Sequence, residues 1–396
     1  MIYISVFQPI SDQTPNSGIG KIAFQLYQHL AKNKKVQIFF GHKGNILEPN
    51  VRDLGKLYHF IFRVLGFLSR FVPYYFIRNI QEIFFDFFFS FKIKKEVTVL
   101  ITTNAWIPIS IRKAKKYNIK THFISGNANE NMIYNLVKSE KNRLGILTKD
   151  AFDYYPRLHR YNKTIINVQY IICINKYILN SFKNSFLNIN KVLLLPTIFD
   201  ANYNDFEITK IHNEIFTIFY CAHTTTLKGL HILLDAYFIF MEGKADIQLV
   251  IGGKIDTSIL DKISKSLNNT TIKIIGNLNS SQVAGQLKTS NLFVVPSLTD
   301  AGPVTMIEAM YTRTPVVCSS GVGNQELIKD GFNGFIYKIN NAIQLSEKLE
   351  QAYTSKDKLT LIGGNARKTV IKCLSLKREF LLKFESLINN ENTSNW

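Results

Sequence analysis

The sequence is poor in the residues that make small sites easy to recognise. Its 396 residues hold four cysteines, Cys173, Cys221, Cys318 and Cys373, and no two form a C-x-x-C pair. Neither a structural metal nor a disulfide framework is expected, and a reducing compartment is. No G-x-x-x-x-G-K-[ST] loop, H-E-x-x-H helix, D-x-D pair or G-x-S-x-G elbow occurs, so these motifs for nucleotide, metal or acyl chemistry are missing. No window of 18 residues is free of charge, which predicts no spanning helix. The opening MIYISVFQPISDQ has neither a basic n-region nor a long apolar core, unlike a secretory signal. A cytoplasmic chain is expected, free or peripheral at the inner face of the membrane.

Acids are scarce in one half only. Residues 1–200 carry 28 Lys and Arg against 11 Asp and Glu, whereas residues 201–396 carry 20 against 18. Nearly all of the formal +19 charge therefore belongs to the first half, which is expected to face something acidic: phospholipid, nucleic acid or a phosphorylated acceptor.

What is present is the pattern of a folded chain, 46% hydrophobic and 19% charged, with a length that suits two domains. In the second half IFTIFYCA (215–222), IQLVIGG (247–253), IKIIG (272–276), LFVVPS (292–297) and PVVCSS (315–320) alternate with helical patterns. Strands that are apolar throughout and separated by helices predict a parallel sheet covered on both faces. The ligand of such a sheet sits at the carboxyl ends of its strands. The first half begins alike, with IYISVF, a helix GKIAFQLYQHLAK and VQIFFG, and continues through VTVLITT (97–103), KTHFIS (120–125), YIICIN (170–175) and KVLLLP (191–196). The predicted class is α/β: two Rossmann-like doubly wound domains, 1–199 and 200–375, facing each other across a cleft. Residues 200–214 read as the linker, and a C-terminal helix in 376–396 is expected to pack back toward the first domain.

Residues 58–91 stand apart, with 14 of the 50 aromatics. Lys56, Arg63 and Arg70 recur every seven residues, which places them on one side of a helix. A core helix with three solvated cations and a helix lying in a membrane interface are equally compatible with this pattern.

The chemistry concentrates in SLTDAGPVTMIEAMYTRTPVVCSS, residues 297–320. A strand ends at Pro296-Ser297, and Pro303 suits a first helical position, so a helix should start near Gly302-Pro303. Its free amides around Val304 and Thr305 would hold an anion. Asp300 lies just before that point, and Glu308 lies about a turn and a half beyond it. Carboxylates accept charge-assisted hydrogen bonds from sugar hydroxyls, so the arrangement suits a nucleotide-sugar. Taken singly, the two acids are as well explained by a helix cap and an exposed helix residue. Lys228-Gly229, at another helix start, could bring a point charge to a diphosphate, and Ser17-Gly18-Ile19-Gly20-Lys21 permits close backbone approach. The latter is no full G-x-G-x-x-G, so a nicotinamide cofactor is not expected.

These residues resemble a known family. PSLTDAGPVTMIEAMYTRTPVVCSS and GVGNQELIKDGFNGFIY are similar to the donor segments of the family-four (group 1) retaining glycosyltransferases with the GT-B fold, which carry an E-x7-E motif. The likeness covers about 215–355 and, more modestly, the SGIGK turn. It implies that Glu308 holds the donor ribose, Asp300 contacts the transferred sugar, and Lys228 neutralises the diphosphate beside the backbone of Gly302, Pro303, Val304 and Thr305. Gly18 and Gly20 would form the lip of the first domain, and Gly276 and Asn277 would lie near the base. No cofactor beyond the co-substrate and no metal is implied. Transfer of a hexosyl or N-acetylhexosaminyl group, with retention, to a saccharide acceptor, a lipid-linked sugar in the assembly of a bacterial surface polysaccharide (capsule, O-antigen or exopolysaccharide), completes the expectation.

Four positions depart from the pattern. Asp300 replaces the first Glu, and His223 stands where an Arg usually precedes the Lys by five. Ser125-Gly126-Asn127 replaces a first-domain His, and Thr197-Ile198-Phe199-Asp200 replaces N-G-V-D. A GT-B epimerase or phosphorylase, and a non-catalytic nucleic-acid binder, remain as alternatives. The first half offers the epimerase few acids and shows no recognisable nucleic-acid module.

Overall fold

The computed structural model describes the chain except residues 9, 12–13, 16–17, 42–47, 184–191, 198–213, 376 and 390–396, and the side chains of 10, 11, 14, 15 and 258. Ser17, Lys191, Ile198, Phe199, Asp200 and nearly all of the expected linker lie outside the described residues.

The chain divides into two compact units. Unit 1 comprises residues 1–135, 149–197 and 377–396; unit 2 comprises 136–148 and 198–376. The main division thus falls between residues 197 and 198, and the segment 136–148, which a reading in chain order leaves in the first domain, groups with the second.

Unit 1 is built on strands β1 (Ile2–Val6), β2 (Val36–Phe40), β3 (Val51–Arg52), β4 (Val99–Thr102), β5 (Lys120–Ser125), β6 (Tyr170–Cys173) and β7 (Val192–Leu194). They pair in parallel in the order β3-β2-β1-β4-β5-β6-β7. Helices α1 (Gly18–Leu30), α2 (Lys56–Leu68), α3 (Tyr74–Lys92), α4 (Pro108–Lys116), α5 (Glu130–Leu144), α6 (Tyr155–Ile165) and α7 (Lys176–Lys183) connect them. Every residue of β1 is buried, as a strand covered on both faces requires.

Unit 2 repeats the plan with β8 (Phe216–Cys221), β9 (Ile247–Gly252), β10 (Ile272–Gly276), β11 (Leu292–Val295), β12 (Val316–Ser319) and β13 (Phe335–Tyr337). Their order is β10-β9-β8-β11-β12-β13, again parallel. The helices are α8 (Leu230–Phe240), α9 (Thr257–Leu267), α10 (Ser280–Thr289), α11 (Val304–Tyr311), α12 (Ala342–Thr354) and α13 (Leu359–Ser375); α14 (Lys377–Asn389) groups with unit 1. In each sheet the chain winds outward in one direction, returns to the centre and winds outward in the other. The reversal lies between β1 and β4 in unit 1 and between β8 and β11 in unit 2, and such a reversal leaves an open crevice at the carboxyl ends of the two central strands. The two doubly wound sheets are as the sequence pattern predicts.

The aromatic stretch 58–91 corrects one expectation. It is two helices, not one: α2 ends at Leu68, with Ser69 as its C-cap, and α3 starts after Pro73. Lys56 and Arg63 lie on α2, whereas Arg70 lies in the turn beyond it. A residue before proline is biased away from helical geometry, and Val72-Pro73 overrides the seven-residue spacing. All three cations are exposed. Around them Leu57, Phe60, Phe67, Phe71 and Tyr74 are each more than half exposed. The inner side of α3 is the reverse, for it buries both of the helix's acids, Glu82 and Asp86, together with Asn79. No helix among the described residues is long and apolar enough to cross a membrane.

Candidate active site

The reversal point of unit 2 brings two loops side by side. After β8 the chain makes a 3-10 turn, Thr226–Lys228, before α8. Gly229 joins turn and helix with φ +67°, and a Cβ there would stand 2.0 Å from the carbonyl oxygen of Pro296. Only glycine allows that approach. Leu298 N–H then donates to Leu227 O at 2.8 Å, so the turn that carries Lys228 is latched to the segment that follows β11.

That segment carries Asp300, and its backbone is held on both sides. Asp300 N–H donates to Gly321 O at 3.0 Å, and Asp300 O accepts from Gly323 N–H at 2.8 Å. The side chain is held as well: Oδ2 pairs with Lys228 Nζ, and Oδ1 accepts the Gly302 N–H at 3.2 Å. Gly302 has φ +136°, and a Cβ on it would meet the Asn324 amide at 2.5 Å. Pro303 is the N-cap of α11, which begins at Val304 with no side-chain cap. The helix thus starts one residue later than the proline suggests, and Asp300 bonds the turn before it rather than capping it. Val304 and Thr305 form the half-exposed first turn.

Glu308 lies on α11 and is 8% exposed, flanked by the buried Met306, Ile307, Ala309 and Met310. It is therefore no ordinary exposed helix residue. Burial, together with the nearby Glu308 charge, pushes the Cys221 thiol up to about 11, which places Glu308 near the carboxyl end of β8.

Gly276 ends β10 with φ +69°, and its carbonyl accepts the Gly253 N–H at 2.6 Å. Gly253 in turn lies against Ala222, whose carbonyl oxygen would be 2.0 Å from a Cβ there. The ends of β8, β9 and β10 are thus joined along one edge. Asn277 is exposed on that edge. His223 is also there, but its side chain is 61% exposed and stands 4.0 Å from Asp256. Gly18 and Gly20 lie in unit 1, within the first turn of α1 rather than in a loop before it. Between them Ile19 packs onto Gly126, where a Cβ would lie 2.9 Å from its Cγ1, so the SGIGK turn meets the Ser125-Gly126-Asn127 segment.

Two residues of unit 2 carry no sequence signal of their own. Asn324 Nδ2 and Thr226 Oγ1 are buried without a hydrogen-bond partner among the described residues, beside Gly302 and Lys228 respectively. The glycines of GVGN are the one sign of Asn324 in the sequence, and Thr226 has none. In unit 1 a second polar assembly is equally silent in sequence. Arg157 bonds Glu82 through Nε (3.1 Å to Oε2) and Nη2 (3.2 Å to Oε1), and it meets Glu130 Oε2 through Nη1 at 3.5 Å. Its guanidinium lies 3.5 Å over the Trp106 ring. Asp86 accepts the N–H groups of Ile109 and Ser110 at 2.8 Å each, which ties α3 to the first turn of α4. No cluster of metal-ligating residues occurs among the described residues.

Residues 203–369 match the model of the glycosyl transferases group 1 family. The capsular polysaccharide biosynthesis glycosyltransferase CapM of Staphylococcus aureus is 24% identical over 176 residues, covering 43% of this chain and 45% of CapM. The chain spans about half the length of the curated relatives it matches. Among solved structures, sucrose-phosphate synthase from Thermosynechococcus elongatus has a TM-score of 0.71 at 16% identity, covering 98% of both chains. HepE of Anabaena, in complex with UDP-glucose, has a TM-score of 0.62 at 11% identity over 98% of this chain and 100% of that one. These likenesses show the GT-B fold. The match to the glycosyl transferases group 1 model spans the segment that carries Lys228, Asp300 and Glu308.

Proposed function

We propose that the protein is a retaining glycosyltransferase that moves a hexosyl or N-acetylhexosaminyl group from a nucleotide-sugar to a saccharide acceptor in the assembly of a surface polysaccharide. One observation carries the reading: a lysine, an aspartate and an uncapped helix start meet at the reversal point of unit 2, with a buried glutamate on the same helix. A diphosphate seated on the first turn of α11 would take Lys228 and the amides of Val304 and Thr305 as partners. Glu308 would accept from ribose hydroxyls and Asp300 from hydroxyls of the sugar. During transfer the bond between the anomeric carbon and the phosphate oxygen breaks, and the acceptor oxygen bonds to that carbon. The acceptor's proton passes to the leaving diphosphate, whose growing charge Lys228 and the helix start stabilise. The part of CapM in capsular polysaccharide biosynthesis and the UDP-glucose complex of HepE support the substrate class.

Thermal unfolding with a panel of nucleotide-sugars (UDP-glucose, UDP-N-acetylglucosamine, GDP-mannose) tests this directly. The cognate donor at ~100 times its Kd should raise the midpoint of unit 2 by about 5–10 °C. Glu308→Ala should abolish most of that rise, and an unchanged shift in the variant would remove Glu308 from the site.

The acceptor is proposed to be lipid-linked, with unit 1 resting on an anionic membrane through α2 and the turn after it. Lys56, Arg63 and Arg70 are exposed beside Leu57, Phe60, Phe67 and Phe71, a pairing of basic and apolar groups suited to an interface. Co-sedimentation with phosphatidylglycerol vesicles should fall about tenfold between low salt and ~0.5 M salt, since screening shortens the reach of surface charge. Equal binding to neutral phosphatidylcholine vesicles, or none to either, would refute the membrane contact.

A further inference from the structure

In this site the two groups expected to divide the donor between them hold each other. Lys228 Nζ pairs with Asp300 Oδ2, and Asp300 Oδ1 accepts the Gly302 N–H just ahead of α11. The carboxylate therefore stands where an anion would: against a lysine ammonium and against a backbone amide at a helix start. Those are the kinds of partner a diphosphate uses. The arrangement is held in place, because Asp300 is fixed through its own backbone to Gly321 and Gly323. Its short side chain has two torsions with which to move.

We propose that Asp300 is a built-in competitor of the diphosphate, which makes the site discriminate in favour of an intact nucleotide-sugar and against a bare nucleoside diphosphate. The inference rests on the reading of unit 2 as a donor site. A diphosphate that arrives must draw Lys228 away from Asp300. The released carboxylate, only 11% exposed, then needs new hydrogen-bond donors, because a buried charge left unpaired is costly. The hydroxyls of a transferred sugar supply those donors. A bare nucleoside diphosphate supplies none, so Asp300 competes to recover Lys228. After transfer the product has lost its sugar, and the same competition weakens its hold. No covalent step is involved; one ion pair exchanges for another. An aspartate with a fixed backbone keeps its carboxylate within reach of both Lys228 and Gly302.

Asp300→Asn tests the proposal, since it keeps the shape and the acceptor for the Gly302 N–H while removing the charge. Titration calorimetry with UDP and GDP would compare the wild type, Asp300→Asn, Lys228→Met and the double variant. Asp300→Asn should bind the preferred diphosphate about tenfold more tightly than the wild type, and its preference for UDP-glucose over UDP, or GDP-mannose over GDP, should shrink. In the Lys228→Met background the gain should vanish to within about twofold, because no cation is left to compete for. Asp300→Ala, which deletes the carboxylate by different chemistry, should show the same gain if Asp300→Asn fails to fold. Unchanged or weaker diphosphate binding in these variants overturns the inference. A gain that persists without Lys228 also overturns it, since that is simple charge repulsion. A wild-type protein that binds neither diphosphates nor nucleotide-sugars overturns the donor-site reading itself.

Discussion

Arg157→Met should destabilise unit 1 by about 3–5 kcal/mol, the cost of removing one partner from a buried ion pair. Arg157 is 5% exposed, Glu130 is 4% and Glu82 is fully buried, so the substitution takes from Glu130 the cation it pairs with and leaves Glu82 with Arg78, 3.0 Å away, as its partner. Methionine fills much of the same volume, which separates the loss of charge from the loss of packing. The deficit should also depend on pH. Burial, aided by the charge of Glu82 and opposed by Arg157, already pushes the Glu130 carboxyl up to about 7. A carboxyl raised in the folded state supports folding below its unfolded value, near 4.5, and that support is lost as pH rises toward 7. Without Arg157 the folded value rises further, so the window of loss extends to higher pH. The variant should therefore lie closer to the wild type at pH 5.5 than at pH 8. Trp106, directly beneath the guanidinium, gives a local fluorescence signal for urea unfolding of this unit. A deficit below about 1 kcal/mol, or one equal at both pH values, would show that the charges are not confined as described.

The second large effect is catalytic. Lys228→Met should lower kcat by roughly 10²–10³-fold, the range for removing one fixed group that faces charge developing in a transition state. KM should move much less if Lys228 acts chiefly on the leaving diphosphate. Lys228→Arg keeps the charge on a differently shaped head and should recover part of the rate. Initial rates with the donor selected by thermal shift provide the measurement. A rise in KM at constant kcat would instead make Lys228 a ground-state anchor.

The sheets were the most legible part of the sequence, for a specific reason. Runs such as IQLVIG and LFVV are apolar at every position, and that pattern arises where both faces of a strand are covered. The donor segment was legible because it is local: Asp300, Gly302, Pro303 and Glu308 lie within nine consecutive residues. The burial of Glu308 was not, since it depends on the apolar residues that flank it on α11. Nor was the partnership of Lys228 with Asp300, 72 residues apart, which follows from strand order. Arg157 and Glu82 are separated by 75 residues, and no periodicity links a pair that distant. The grouping of residues 136–148 with unit 2 was not legible for a related reason: Glu140 pairs with His231 at 2.9 Å and accepts from Asn340 at 2.9 Å, and neither residue is near it in sequence. The break between α2 and α3 was legible in Pro73, but the regular spacing of the cations concealed it.

Helix α3 is fixed on one side by the polar pairings of Glu82 and Asp86 and by the buried rings of Phe85 and Phe89, while Phe87 and Phe91 on the other are 45% and 63% exposed. An aromatic helix is ordinarily held by shape, so that any change to its rings is felt throughout the core. Here position and outer surface are specified by different residues. The outward rings can be exchanged for larger, smaller or more polar ones while Arg157 and the first turn of α4 keep the helix in register. Unit 1 can thus be adapted to a different surface without its interior being rebuilt.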